Sequence, residues 1–203
     1  MGVSRAAGDG TLRTFDQTMD RAKSGDDDAL SVLYLNHVAM VYGYLRACRA
    51  VDPEDVTSEV FLGMLRGLTR FEGSQADFRR WLMTIAHRRL VDERRRSMRN
   101  PHELIDPQLM QQRPSPNNIT ELKAIAVNED LITAFSRLTD AQREVLALRF
   151  VADVSLQDVA AIVGRPVAAV KSLQSRGLAA LRREMQPDGD SQFRPSAAEV
   201  TLQ

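Results

Sequence analysis

Arginine is concentrated in one stretch of the chain, where its guanidinium groups could bind phosphates. Residues 61–100 carry 10 Arg against 4 Asp or Glu, although the whole chain has a net charge of 0 with 27 basic and 27 acidic residues. Too few acids lie in this stretch for salt bridges along the helix to neutralise it. The stretch therefore predicts a positive surface matched to a nucleic-acid backbone.

A second group of polar side chains follows a glycine turn near the C-terminus. Leu156, Val159 and Val163 recur at helical spacing, Gly164 permits a sharp turn, and Pro166 can begin another helix. This spacing predicts a helix-turn-helix over residues 155–183, whose second helix enters the major groove of DNA. The side chains of that helix that avoid its buried stripe are Ala168, Lys171, Ser172, Ser175 and Arg176. The two cations can contact guanine or phosphate. By itself the pattern also fits an ordinary hairpin of two helices.

A third stretch, residues 53–69, is amphipathic with an unusual polar face. Its apolar side is broad and includes Leu65, whereas the opposite side carries Asp55, Ser58, Glu59, Leu62 and Arg66. A leucine among charged neighbours suits a protein–protein contact. A solvated face with one stray apolar residue is the alternative.

Composition and periodicity predict an all-α fold of two small helical domains joined by a flexible linker. Hydrophobic residues make up 43% of the chain and aromatics 5%, and good helix formers dominate. Prolines at 101, 107, 114 and 116 mark the linker. The predicted segments are a disordered tail over 1–14, a first domain over 15–100, the linker over 101–120, a second domain over 121–186 and a disordered tail over 187–203.

Within the first domain, helical patterns begin near Phe15 and continue to about Ala50. Asp52 and Pro53 predict the start of another helix, as its N-cap and its first residue. Residues 71–75 predict a loop, and a further helix follows over about residues 77–98, which contains most of the arginines and has Trp81 in its apolar stripe.

Several classes of protein are excluded by the residues present. Cys48 is the single cysteine, and the three histidines have no partner at metal-ligand spacing, so we expect no disulfide, metal or cofactor. No signal peptide or membrane-length apolar run occurs, so a cytoplasmic protein is expected. A DNA-processing enzyme would need a nucleophile with its base or a carboxylate cluster. The acidic run at residues 26–28 fits a helix start or a solvated turn instead, so we predict no enzymatic activity.

Together these segments resemble a bacterial RNA polymerase sigma factor of the extracytoplasmic-function (ECF, group 4) class of the sigma-70 family. Residues 41–45 and 53–62 resemble regions 2.1 to 2.2 of that family. Residues 78–92 resemble regions 2.3 to 2.4, and residues 138–146 with 154–183 resemble region 4. Order and spacing agree across nearly the whole chain apart from its two ends.

The resemblance implies a role for each polar group. The residues implied to contact core polymerase are Asp55, Ser58, Glu59, Leu62 and Arg66. Those implied to open and hold the −10 element are Gly73, Ser74, Gln75, Arg79, Arg80, Arg88, Arg89, Arg95 and Arg96. The helix with Lys171 and Arg176 would read the −35 element as duplex.

The resemblance implies three partners: core RNA polymerase, promoter DNA and an anti-sigma factor. The contact with polymerase would be made through the β′ clamp helices and the β subunit, and no direct contact with a membrane is implied. The sequence departs from the family at Leu173, Leu178 and Ala179, where arginines are usual. This departure implies weaker phosphate anchoring or a distinct −35 consensus. A conventional helix-turn-helix regulator is the alternative function, but it leaves the arginine-rich helix unexplained.

Overall fold

The computed structural model describes residues 6–99 and 129–185, and within them the side chains of residues 15–99 and 133–184. The predicted linker over 101–120 and the predicted tail over 187–203 lie outside the described residues. Residues 1–5 and 121–128 lie outside them as well.

The described chain is helical in both halves. The N-terminal half contains α1 (Ala6–Lys23), α2 (Asp27–Ala47), α3 (Pro53–Leu68) and α4 (Gln75–Arg99). The C-terminal half contains α5 (Glu129–Ser136), α6 (Asp140–Leu146), a π-helical turn (Ala147–Val151), α7 (Leu156–Val163) and α8 (Val167–Met185). Neither described range contains a strand, so the all-α prediction is confirmed. Within the same two ranges, no helix has the length and apolar character needed to cross a membrane.

The first helices differ from the predicted pattern at two places. α1 begins at Ala6, so residues 6–14, which composition assigned to a tail, are helical. A turn over residues 24–26 then separates α1 from α2, and Asp26 caps α2 by accepting a hydrogen bond from the Ala29 amide at 3.0 Å. Helical periodicity alone ran through this break, because the turn is shorter than one helical turn. The acidic run at residues 26–28, predicted as a helix start or a solvated turn, does begin α2.

The N-terminal half packs around the antiparallel contact of α3 with α4, and α2 covers both helices. Its most completely buried large side chains are Tyr44, Phe78, Leu33, Leu45, Met64, Leu82, Met83 and Leu90. Burial of one such aliphatic side chain stabilises the fold by about 1.5–3 kcal/mol. The C-terminal half has its own buried residues on α6, α7 and α8, and the buried apolar residues of both halves form one contiguous cluster.

Glu93 fastens the beginning of α3 to α4. Asp52 caps α3 by accepting a hydrogen bond from the Asp55 amide at 2.9 Å, and Pro53 begins the helix, as predicted. The buried Glu93 carboxylate on α4 accepts hydrogen bonds from the amides of Val51 at 3.1 Å and Asp52 at 3.0 Å. One side chain therefore satisfies two backbone donors and fixes where α3 starts.

Arg143 plays a comparable part between α5 and α6. Its guanidinium is buried and donates hydrogen bonds to the carbonyls of Phe135 at 3.0 Å and Leu138 at 2.7 Å. It also pairs with Asp140 at 2.8 Å. Because a guanidinium presents several donors in a planar fork, one residue can tie together three points of this turn.

We predict that Glu93→Ala lowers the free energy of unfolding by about 1–3 kcal/mol, because it leaves the Val51 and Asp52 amides without their acceptor. Chemical denaturation followed by circular dichroism measures the change. The matched control is Asp92→Ala, which removes the exposed neighbouring acid and should change stability by less than about 0.5 kcal/mol. Equal losses in the two variants would contradict the assignment.

Candidate nucleic-acid and polymerase interfaces

The loop that begins α4 is fixed by reciprocal hydrogen bonds. The Ser74 amide donates to the Asp77 carboxylate at 3.0 Å, and the Asp77 amide donates to the Ser74 hydroxyl at 3.3 Å. Gly73 has a φ of +140°, and a Cβ there would lie 2.8 Å from the Asp77 Cβ, so this position requires glycine. Hydrogen bonds from Ser74 lower the pKa of Asp77, with a smaller contribution from the charge of Arg80.

This loop holds the predicted −10 residues Gly73, Ser74 and Gln75 in one place. Gly73 and Ser74 are exposed, whereas Gln75 is half-buried. Gln75 lines a cavity of about 160 Å³ together with Asn36 and His37 of α2. Phe71, just before the loop, stacks on Trp81 with ring centroids 5.2 Å apart. Trp81 is therefore a packing residue, as expected for its place in the apolar stripe of α4.

The predicted −10 arginines all lie on α4 but have different surroundings. Arg88 and Arg95 are exposed. Arg89 and Arg96 approach the Glu59 carboxylate of α3, each at 3.6 Å. Of the four arginines in this part of α4, Arg88 and Arg95 are thus the exposed ones that form no ion pair with a described residue.

Arg79 and Arg80 have partners from the C-terminal half of the chain. Arg79 pairs with Asp153 at 3.0 Å. Arg80 pairs with Asp158 at 3.3 Å and with Asp77 of its own helix at 3.2 Å. Sequence spacing could not predict the pairs with Asp153 and Asp158, because the partners are more than 70 residues apart.

Glu59 lies between the predicted polymerase face and the arginines. Its side chain is only 27% exposed, and its Oε2 atom is buried without a hydrogen bond. At 3.6 Å the contacts with Arg89 and Arg96 are ion pairs without hydrogen-bond geometry. Glu59 therefore orients two arginines of α4, a role that the sequence did not predict, and its contact with polymerase remains a prediction.

The outer surface of α3 carries the other predicted polymerase residues. Leu62 is 52% exposed, and Ser58 and Arg66 beside it are exposed as well, while Asp55 is half-buried. Leu65 is 45% exposed, although the helical pattern placed it on the buried side. Leu62 and Leu65 thus form a larger apolar patch than the sequence predicted, within a polar rim.

The helix-turn-helix has the predicted geometry. Ser155 caps α7 by accepting a hydrogen bond from the Asp158 amide at 3.1 Å, and Gly164 ends that helix in the left-handed conformation at a φ of +65°. α8 follows directly after Pro166. Val159 and Ala160 of α7 and Val170 of α8 are buried where the two helices meet.

The predicted −35 residues share the solvent side of α8. All five, namely Ala168, Lys171, Ser172, Ser175 and Arg176, are exposed. Of the three positions that depart from the family, Leu173 and Leu178 pack partly against the core, and only Ala179 is exposed. Of the three arginines usual in the family, only the one replaced by Ala179 would therefore have lain on the fully exposed side of α8.

A groove beside α8 is a feature that the sequence analysis missed. It has a volume of about 470 Å³, and its lining includes Arg149, Lys171 and Arg182 without any acid. Arg149 donates a hydrogen bond to the Val154 carbonyl and keeps its Nε atom buried without a partner. The groove adds positive charge next to the side of α8 that carries the predicted −35 residues. Sequence periodicity could not predict it, because its lining residues come from separate helices.

Two histidines of the N-terminal half are enclosed, since His37 of α2 is buried and His87 of α4 is half-buried. The His37 Nδ1 atom is 2.8 Å from the Leu33 carbonyl, and the His37 ring packs edge-on against Phe78. Burial lowers the pKa of His37, and the charge of Arg79 lowers it further, against the opposing hydrogen bond with Leu33. Burial likewise lowers the pKa of His87, whose Nδ1 atom lies 3.0 Å from the Tyr44 hydroxyl.

Two family models match the chain in the order of its two halves. Residues 33–100 match Sigma-70 region 2, and residues 134–183 match Sigma-70, region 4. The chain is 32% identical over 191 residues to the ECF RNA polymerase sigma factor BldN of Streptomyces coelicolor, which covers 91% of this chain and 70% of that protein. It is 28% identical over 179 residues to the ECF RNA polymerase sigma factor SigK of Mycolicibacterium vanbaalenii, and the matched part covers 83% of this chain and 87% of that protein.

Two solved structures share the fold. One is CnrH in complex with the cytosolic domain of CnrY, with a TM-score of 0.55 and 22% identity over 83% of this chain and 94% of that chain. The other is the sigma factor RpoE in complex with the anti-sigma factor NepR from Bartonella quintana, with a TM-score of 0.57 and 21% identity over 76% of this chain and 95% of that chain.

We predict that the free energy of unfolding falls between about pH 7.5 and about pH 5.5, because the folded chain holds His37 and His87 below their ordinary pKa. The unfolded histidines take up protons first, so this stability is present at neutral pH and is lost on acidification. His37→Asn keeps a donor near the Leu33 carbonyl and should reduce the loss. Parallel stability profiles for the two proteins, measured by urea denaturation, would contradict this role of His37.

Proposed function

This chain belongs to the ECF RNA polymerase sigma factors of the sigma-70 family, and on that premise we propose how its residues engage a promoter. As a transcription initiation factor, it directs core RNA polymerase to specific promoters. The proposal is a two-point clamp, in which the N-terminal half holds the opened −10 element and the C-terminal half reads the −35 element as duplex.

At the −10 element, the contacts come from the fixed loop and from α4. Gly73, Ser74 and Gln75 contact bases of the non-template strand, and the arginines of α4 bind its phosphates. The support for this is the density of guanidinium groups on one helix together with the exposure of Arg88 and Arg95. Basic surfaces of this kind follow a single strand without reading its sequence, whereas fixed loops supply selectivity.

At the −35 element, α8 enters the major groove. Lys171 and Arg176 contact base edges or phosphates, and Ala168, Ser172 and Ser175 approach the same groove. The support for this is the helix-turn-helix geometry around Gly164 and the shared exposure of all five side chains. Arg149 and Arg182, which line the neighbouring groove, add phosphate contacts at the edge of the site.

Core polymerase binds the outer surface of α3. Leu62 is the apolar centre of this contact, and Asp55, Ser58, Glu59 and Arg66 surround it. The partner surface is that of the β′ clamp helices, with further contacts to the β subunit. An exposed apolar residue inside a polar rim has the composition of a protein–protein contact.

The same proposal assigns the remaining parts of the chain. The −10 domain extends over 15–100, the −35 domain over 121–186, and residues 101–120 connect them along the polymerase surface. The protein acts in the cytoplasm and catalyses no reaction itself. An anti-sigma factor regulates it, as suggested by the similar fold of the RpoE sigma factor, which was solved with the anti-sigma factor NepR.

One observation carries the proposal: an arginine-rich helix and a helix-turn-helix follow each other in a chain that matches both sigma regions in order. Run-off transcription with purified core polymerase, on the DNA upstream of the protein's own gene, tests it. We expect initiation that depends on the added chain. Duplex binding without core polymerase and without initiation would favour a conventional helix-turn-helix regulator and overturn the proposal.

We predict that Leu62→Asp reduces core-polymerase binding at least tenfold, because it places a charge at the apolar centre of the contact. Leu35→Asp is the matched control, since Leu35 is 54% exposed on α2 and lies outside the proposed contact. Fluorescence-detected titration of core polymerase measures both affinities, and circular dichroism checks folding. A similar affinity for the two folded variants would refute this docking surface.

We predict that Lys171→Ala and Arg176→Ala each weaken holoenzyme binding to a −35 duplex by about 1–3 kcal/mol if they read bases. Arg137→Ala is the control, because Arg137 pairs with Glu184 at 3.1 Å on another part of the C-terminal half. Electrophoretic mobility shifts on intact and −35-substituted promoters separate base reading from phosphate binding. Uniform weakening on all sequences would assign these cations to phosphates only.

A further inference from the structure

The groove beside α8 combines positive charge with apolar side chains, and we call it the α8 groove. Three cations line it, Arg149, Lys171 and Arg182, together with Leu156 and Leu178, and its lining contains no acid. None of the three cations forms an ion pair with a residue of the described ranges. Their charge is therefore available to a ligand.

The α8 groove follows one side of α8. Lys171, Gln174, Leu178 and Arg182 are spaced by three or four residues, so they lie on the same side of the helix. At 1.5 Å per residue, Lys171 and Arg182 are about 16 Å apart along the helix axis. The groove thus has a cation near each end of this stretch and a leucine between them, with Leu156 of α7 also in its lining.

The leucines indicate a ligand that is more than a chain of phosphates. Leu156 and Leu178 are both half-buried, so each leaves apolar surface exposed in the groove. Phosphates would pair with the cations but would leave this surface in water, whereas an apolar side chain would cover it. A ligand that carries carboxylates on both sides of an apolar side chain matches both properties of the groove.

The residues that directly follow α8 have the composition of such a ligand. α8 ends at Met185, and residues 186–203 carry three acids and one cation. Phe193 stands between two of these acids, Asp190 and Glu199, in an acid–apolar–acid order. This order mirrors the cation–leucine–cation order of the α8 groove, so the two can pair along their length.

The sequence after α8 also favours a reversal of the chain. Pro187, Asp188 and Gly189 form the proline–aspartate–glycine pattern that is typical of tight turns. Beyond such a turn an extended chain advances about 3.3 Å per residue, so about five residues cover the length of the groove. Phe193 therefore comes within reach of the two leucines.

We propose that residues 186–203 turn back after α8 and occupy the α8 groove, as an internal competitor of −35 DNA. Phe193 packs against the two leucines, and the acids pair with the cations on either side of them. Lys171 and Ser175 line the groove and also belong to the predicted −35 residues, so the docked segment covers part of that surface. The competition rests on the proposed function, whereas the docking itself does not.

The docked state is populated although each contact is weak. Lys171 and Arg182 are exposed, so salt screens their pairs with carboxylates and each pair contributes little. The short connection to α8 holds the segment at an effective concentration on the order of millimolar, which favours docking without strong contacts. A duplex with many phosphates displaces the segment, so docking weakens −35 binding without abolishing it.

Disulfide trapping in the full-length chain tests the docking. Cys48 is the single cysteine and is buried, so it does not compete with introduced thiols. Gln174→Cys places a thiol in the groove, and Ser196→Cys places one just beyond Phe193 without removing the phenyl ring or an acid. Oxidised glutathione should join this pair within one chain, as followed by non-reducing electrophoresis.

The matched control pairs Ser196→Cys with Arg183→Cys, on an exposed residue of α8 outside the groove. Position 183 is closer to position 196 in sequence than position 174 is, so an undocked segment would join the control pair at least as fast. Docking reverses this order, and we expect the Gln174→Cys pair to form roughly threefold faster. Circular dichroism checks that each variant folds.

The competition is tested by the affinity of the full-length chain for a fluorescein-labelled −35 duplex from a promoter that the run-off assay identifies. Phe193→Ser removes the apolar contact without changing the charge. It should therefore bind the duplex about three- to tenfold more tightly, in proportion to the gain in undocked molecules. Ser196→Ala is the control and should bind as the natural chain does.

The docking would be overturned if the control pair formed as fast as the Gln174→Cys pair, or if disulfide-linked dimers formed instead, which would assign the groove to a second copy. Faster trapping of Gln174→Cys with Gln108→Cys would assign it to the predicted linker and would also overturn the proposal. Equal duplex affinity of Phe193→Ser and the natural chain would overturn the competition.

A failure of the proposed −35 role is distinguishable from these outcomes. In that case the disulfide between positions 174 and 196 still forms faster than the control, but Lys171→Ala and Arg176→Ala leave duplex binding unchanged.

Discussion

The dense positive charge of α4 is the constraint on which the rest of the structure depends. Guanidinium groups along one helix repel each other unless anions lie nearby or water surrounds them. The fold supplies anions from two directions, because Glu59 of α3 approaches Arg89 and Arg96, and Glu144 reaches Arg94 from the C-terminal half. Arg88 and Arg95 remain exposed. These two guanidinium groups are therefore available to the phosphates of a promoter strand.

Local features of this fold could be predicted from the sequence because their causes are local. Asp52 with Pro53, Ser155 and Gly164 each begin or end a helix through backbone groups within four residues, so spacing alone identifies them. The exposed face of α8 follows from the same periodicity. The start of α2 has a local cause too, because the acidic run at residues 26–28 supplies its N-cap and first turn, although periodicity alone did not show the break before it.

Interactions between distant parts of the chain could not be predicted in this way. Glu93 holds amides 41 and 42 residues earlier, and Glu144 lies 50 residues from its partner Arg94. Nothing in local spacing distinguishes Glu93 from the exposed Asp92 beside it. The same holds for Leu65, whose exposure depends on which helices cover α3, and for the groove formed by Arg149 with α8.

The central claim is that one chain, in complex with core polymerase, contacts a promoter at two separate elements. Photo-crosslinking tests this most directly, with p-benzoylphenylalanine in place of Arg95 on α4 or of Ser175 on α8 and with the crosslinked bases mapped in the open complex. The account predicts crosslinks from position 95 to the non-template strand at −10, and from position 175 to duplex DNA at −35. Crosslinks from both positions to the same element, or equal crosslinking without core polymerase, would contradict it.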